Sequence, residues 1–176
     1  MSKKNKTIDL TLSALFLALG MVLPLLTGQI KEIGDTLLPL HLVVMFCSLI
    51  CGWKYGFVTG LALPYLRSLV FQMPPLYPAA VWMSFELAAY GVTLGLLYNK
   101  FGKNKTSNLI WCLLISMLSG RIVWGICKTI LLMGTSNPFS FALFISGGFI
   151  DALPGIILQL ILIPLIMDFY NKRISK

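Results

Sequence analysis

The feature that most constrains this chain is where its charge is missing. Six long apolar stretches exclude almost every Lys, Arg, Asp and Glu, and short polar or proline-rich joints separate them. Hydrophobic residues make up 57% of the chain and charged ones 11%, against nearly half and about a quarter in an average soluble domain. Such a chain cannot cover its outside with polar groups, so a bilayer must be the solvent for most of its surface. In lipid the backbone has to satisfy its own N–H and C=O groups, which helices do within one segment. The expected fold is therefore all-α, an integral membrane bundle of six transmembrane helices forming one domain over residues 1–176.

Proline, glycine and charge mark the joints. The first span is expected from about Ile8 to Thr27, and the polar, glycine-punctuated segment 28–35 follows it. The second runs from about Leu38 to Cys51, where Gly52-Trp53-Lys54 ends it, and the third from Tyr55 to Phe71. Pro74, Pro75 and Pro78 remove backbone donors and exclude a regular helix between Met73 and Pro78. The fourth span covers Ala79–Tyr98 and the fifth Leu109–Met133. The sixth ends near Tyr170; its start is blurred because Phe139–Ile150 is apolar too, and Gly147-Gly148 offers a break. The first stretch resembles a signal peptide superficially, but its apolar run is long and lacks an A-x-A site, so a retained helix is expected.

The net charge of +8 is a matter of topology rather than a nucleic-acid footprint. Lys3, Lys4 and Lys6, then Lys54, then Lys100, Lys103 and Lys105, then Lys172, Arg173 and Lys176 fall in alternate joints and both tails. The intervening joints hold only Lys31. The positive-inside rule then places both termini in the cytoplasm of a multi-pass cell-membrane protein. No G-x-x-x-x-G-K-[ST] run is present, so ATP-driven work would need a partner to supply the motor. Cys47, Cys51, Cys112 and Cys127 lie within spans without His or carboxylate ligands at matching spacing; small packing residues are expected, with no metal or cofactor site.

Five ionisable groups are harder to place. Arg67, Glu86, Arg121 and Lys128 lie within spans, and Asp151 lies near the start of the sixth. A charge at mid-bilayer costs about 2.5–3.5 kcal/mol even on the lenient insertion scale, so such residues face an interior or a cavity and mark a functional site. Helical rise puts Arg67 about 20 Å from the cytoplasmic face and Glu86 about 12 Å from the outer face. His41, at the outer start of the second span, joins them. An outward-facing polar pocket is the economical explanation, with Arg67 the leading carboxylate-binding residue and Glu86 orienting it. Trp82, Tyr77, Phe85, Tyr65 and Trp124 would supply aromatic walls. Structural roles stay open as well: an Arg67–Glu86 ion pair, Lys128 snorkelling to headgroups, His41 bonded to backbone. The slight cationic excess favours an anionic small molecule. A proton-coupled carrier working alone, or a membrane enzyme using Glu86, Asp151 and His41, are the alternatives; no internal repeat, H-E-x-x-H or nucleophile–base pair supports either.

Ala14 and Ala18 form an A-x-x-x-A in the first span, a spacing that lets another helix approach closely. With six spans in under 200 residues, and with the runs Leu38-Pro39-Leu40-His41, Pro64-Tyr65-Leu66-Arg67-Ser68 and Phe71-Gln72-Met73-Pro74-Pro75, the whole chain resembles the substrate-binding S components of energy-coupling factor (ECF) transporters. The resemblance implies capture of a vitamin from outside, then docking through Ala14 and Ala18 on a membrane coupling subunit that carries two ATPases. It implies gating by the loops at 28–37 and 72–78. It leaves the vitamin open: the cationic pocket favours a small carboxylate such as pantothenate, with folate, niacin or a lipoate-like acid as further candidates, and neutral pyridoxine or a queuosine-type precursor not excluded.

Overall fold

The computed structural model of the chain describes residues 6–25, 37–102, 106–133 and 139–174. Among them there is helix and no strand. Helix α1 spans Lys6–Val22 and tightens into a 3-10 turn at Leu23–Leu25. Then come α2 (Pro39–Cys51), α3 (Trp53–Phe71), α4 (Val81–Leu97), α5 (Thr106–Leu132), the short α6 (Phe141–Ile145) and α7 (Leu153–Ile174). Among the described residues four helical stretches are long and apolar enough to cross a membrane: Lys6–Leu25, Leu76–Phe101, Thr106–Leu132 and Leu153–Lys172. The second and third expected spans are helical but fall outside that set. At 13 residues α2 rises only about 20 Å, and α3 carries Lys54, Pro64 and Arg67.

The joints follow from local chemistry. Pro39 opens α2 in its first turn, where the missing N–H costs nothing. Gly52 has φ 104° and serves as both the end of α2 and the start of α3, so a single residue reverses the chain. A side chain would be strained in that conformation. Gln72, at φ 57°, ends α3. Before α4 the stretch Leu76–Ala80 makes one wide turn with Tyr77 extended, in keeping with the prolines that flank it. The blurred start of the last span resolves into α6, a wide turn at Ser146–Ile150 and the Asp151–Ala152 turn. The joints at 26–36 and 134–138 lie outside the described residues, and so does most of the segment 28–37 expected to gate the site.

Helix α2 is the centre of the bundle: eleven of its 13 residues are buried. It packs against α1, α3, α4 and α7, while α5 lies on the far side of α4. One apolar cluster joins Met45 and Leu49 of α2, Tyr90 and Leu94 of α4, Leu113 of α5, and Ile163 of α7. A second joins Val44, Leu63 and Leu87. Between α3 and α4 the backbones touch. A Cβ added at Gly91 would stand 2.5 Å from the Gly56 carbonyl carbon, and one at Gly60 would stand 2.6 Å from that of Leu87. Ser48 Oγ of α2 donates to the Gly91 carbonyl at 2.5 Å, tying the third helix to this seam. The four cysteines are free; three are buried and Cys127 is half-buried.

Candidate functional site

The buried charges meet at one end of this bundle. His41 lies in the first turn of α2, held there because Leu38 carbonyl accepts the backbone N–H of both His41 and Leu42, at 3.1 and 3.3 Å. The same carbonyl accepts from Gln159 Nε2 of α7 at 3.4 Å. Glu86 sits in the second turn of α4 and Arg121 eleven residues before the end of α5. All three side chains converge on one oxygen: Arg121 Nη1 donates to Glu86 Oε1 at 2.8 Å, and His41 Nε2 lies 3.1 Å from it. His41, Glu86 and Arg121 are 2%, 2% and 4% exposed, so this is an interior charge cluster rather than a surface pair. Tyr90, one turn after Glu86, stands edge-on to the His41 ring with centroids 5.1 Å apart. Gly120 gives the Tyr90 ring room beside Arg121.

Aromatic rings continue the cluster toward the end of α5. Arg121, Trp124 and Lys128 recur at helical spacing on one face, and Trp124 carries both cations. The Arg121 guanidinium carbon lies 5.9 Å from its ring centroid and the Lys128 ammonium 4.5 Å. Trp82 of α4 and Phe139 each approach Lys128 to 5.0 Å, so three rings from three parts of the chain surround one ammonium. Each such contact is worth about 0.5–2 kcal/mol, more as water is excluded. Gly147 and Gly148 lie against the face of Trp124, where added methyls would sit 3.5 and 3.4 Å from the indole. The segment before α7 thereby folds over the tryptophan.

The structure brings together six of the expected residues or their neighbours and sets others apart. His41, Glu86, Arg121, Lys128 and Trp82 join, with Trp124 as their hub. Arg67 does not pair with Glu86. Its guanidinium is buried against α1 instead, with Nη1 donating to the Met21 carbonyl at 2.6 Å and the head over Phe71 at 5.2 Å. The reason is local: Pro24, three residues after Met21, has no N–H with which to close a tight turn onto that carbonyl. The Glu86 partners are therefore α2 and α5 residues, a correction to the α3–α4 pairing expected from adjacency. Asp151 is exposed in its turn, and Tyr77 is 66% exposed ahead of α4; neither enters the cluster. Tyr90 and Phe139 were not foreseen. Tyr90 had a signal, four residues from Glu86 on the same face; Phe139 had none, since it arrives from a separate element.

Ala14 and Ala18 are exposed on α1, in a stripe with Thr11, Leu15 and Val22. Only 17% of the apolar window of α1 is buried, against 50% for the windows containing α4 and α5. An open groove of about 480 Å³ adjoins the aromatic end of the cluster, between Ile122, Ile126 and Ile130 of α5 and Phe141 and Phe144, and Phe139 is common to both. Its walls are mostly apolar, and His41, Glu86, Arg121 and Lys128 are not among the residues that line it. It is not the charged site.

Comparison with curated proteins and with solved structures finds no match to this chain. Comparison with protein families does: the family described as ECF transporter, substrate-specific component, matches residues 9–167. An all-helical chain with several membrane-length apolar helices and a buried polar cluster fits that description, and the match runs over nearly the whole sequence. The chain belongs to the family of substrate-specific components of ECF transporters.

Proposed function

We propose that this protein captures a small carboxylate vitamin at the outer face of the cell membrane and delivers it to an ECF module, with pantothenate the first candidate. Substrate-specific components of this family work with a membrane coupling subunit and ATPases. The single observation that carries the carboxylate reading is a pair of cations on one ring: the Arg121 guanidinium and the Lys128 ammonium both lie over Trp124. Two cationic groups held side by side favour an anionic ligand, because a carboxylate accepts charge-assisted hydrogen bonds from both. Lys128 is the residue best placed to meet it, at the end of the α5 face that Trp82 and Phe139 also line. Arg121 adds attraction from deeper in the bundle, and Trp82 and Trp124 flank the apolar part of the ligand. Tyr77 belongs to the neighbouring 72–78 gate, and Asp151 to its far rim. Arg67 holds α1 in place at the same end of the bundle.

The orientation proposed with it has six crossings and both termini cytoplasmic. The alternation of cations along the sequence supports this, and so does the burial of α2, which needs no full span of lipid contact when protein surrounds it. The test is titration calorimetry of the purified protein against a vitamin panel. A carboxylate should bind tightest, and Lys128→Met should weaken it about tenfold or more, the lower range for a charge-assisted contact. Arg67→Ala should weaken it less. A neutral vitamin as the tightest binder, or unchanged affinity in a well-folded Lys128→Met protein, overturns the carboxylate assignment.

A further inference from the structure

His41 brings to this cluster a buried ring nitrogen that no described residue bonds. His41 Nδ1 is buried and makes no hydrogen bond, although its ring is clamped by Glu86 on one side and Tyr90 on the other. Which kind of partner it requires follows from the other nitrogen. Arg121 is always charged and donates to Glu86 Oε1, so Glu86 is an ionised, acceptor-only carboxylate. Nε2, 3.1 Å from the same oxygen, must therefore carry the hydrogen. A second proton on the ring would place another cation beside Arg121, whose charge Glu86 already balances, in an interior where an unpaired charge is costly. His41 is thus a neutral imidazole with Nδ1 unprotonated, a buried acceptor in need of a donor.

We propose that His41 Nδ1 is the subsite that reads a hydroxyl or amide N–H on the ligand. The inference rests on the capture function proposed above and narrows its substrate class to molecules that combine an anionic group with a hydrogen-bond donor. The physical basis is asymmetry. A ligand that brings a donor satisfies the imidazole, whereas one of similar size without a donor leaves both the nitrogen and its own surroundings desolvated, and leaving a buried polar group unmet costs more than a made bond gains. Sites of this kind therefore reject analogues that lack the donor more strongly than apolar pockets reject a missing methylene. Glu86 is then a positioning residue for the ligand: it holds the tautomer that makes Nδ1 an acceptor.

The chain has one histidine, which makes the test direct. The full-length protein, labelled with ¹⁵N-histidine and placed in lipid nanodiscs, gives one pair of imidazole nitrogen signals. Without ligand, Nε2 should be protonated and Nδ1 not; an Nδ1–H tautomer or an imidazolium overturns the proposal. Five probes are then titrated. Pantothenate and biotin carry a carboxylate with hydroxyl or N–H donors, nicotinate and lipoate carry a carboxylate with none, and pyridoxine is neutral with hydroxyls. A donor-bearing carboxylate should bind about tenfold or more tighter than either donor-free one, and its binding should move the Nδ1 signal toward the hydrogen-bonded range. A donor-free acid binding tightest, or a saturating ligand that leaves Nδ1 where a water alone holds it, overturns the proposal. Pyridoxine binding tightest and shifting Nδ1 sinks the carboxylate reading and supports this one. If none of the five binds, the proposed substrate class fails, and the spectrum of the free protein still decides whether His41 offers an acceptor.

Discussion

Arg67 and Glu86 are held by different kinds of partner, a backbone carbonyl and two side chains, and that decides what the removal of each does. Glu86 is bonded on one oxygen by Arg121 and His41 from two other helices. Neutralising it strands the guanidinium in the interior, and breaking a buried pair from one side costs about 3–5 kcal/mol. Glu86→Gln should lower thermal stability in detergent by that order, followed by tryptophan fluorescence. Combining it with Arg121→Met should recover most of the loss, because no buried guanidinium is then left without its carboxylate and the glutamine amide oxygen can still accept from His41 Nε2. A double variant no more stable than the single one would show that the carboxylate is not the group the arginine needs. Which residues were charged and intramembrane was legible from sequence. Their pairing was not, since adjacency of spans suggested Arg67 for Glu86 and a free carbonyl on α1 claimed the arginine instead.

At the scale of elements, one spacing serves two opposite purposes. Ala14 and Ala18 on α1, Gly56 and Gly60 on α3, and Gly91 and Gly95 on α4 are all small residues four apart. The glycines are buried in a backbone-to-backbone seam, while the alanines face outward. Gly91→Ala should therefore destabilise the protein by about 1–3 kcal/mol, since the atom it meets belongs to backbone that cannot rotate away. Gly147→Ala, which makes an ordinary contact with Trp124, should melt close to the parent. Equal melting of the two would mean that the helices separate readily. The alanines predict the reverse: Ala14→Trp with Ala18→Trp should abolish uptake in cells that contain the ECF module while ligand binding survives. Loss of binding in parallel would place the pair in internal packing. Sequence spacing marks a close approach but not whether the partner lies in the same chain, because that depends on how the other helices fill the remaining faces.

For the whole molecule, the proposed arrangement makes the charged cluster an outward-facing site and the lysine-rich joints cytoplasmic. Single cysteines placed at Lys4 and at Ile174 should stay unlabelled by an impermeant maleimide in intact cells and react after lysis. Labelling of either from outside would invert or break the topology. The cluster lies at the end shared by the start of α2, the start of α4 and the second half of α5, which requires alternate helices to run in opposite directions. It also lies beside the α3–α4 seam, since Glu86 precedes Leu87, whose backbone Gly60 meets. A site on closely packed elements holds its geometry, and under the proposed function the outward stripe of α1 is the surface left for a partner.

Sequence alone determined the solvent, the helical class, the intramembrane residues that had to be explained, and the family resemblance. These follow from quantities that add up locally: hydropathy over a span, proline and glycine at joints, the sign of charge in successive loops. Tertiary structure alone decided that Arg121 rather than Arg67 meets Glu86, that Phe139 returns across a joint to complete the rings around Lys128, and that one nitrogen of His41 is left over. The physical reason is range. A desolvated charge or ring takes the nearest partner that several helices jointly bring within a few ångströms, and rotation of one helix by a single residue, about 100°, is enough to change which partner that is.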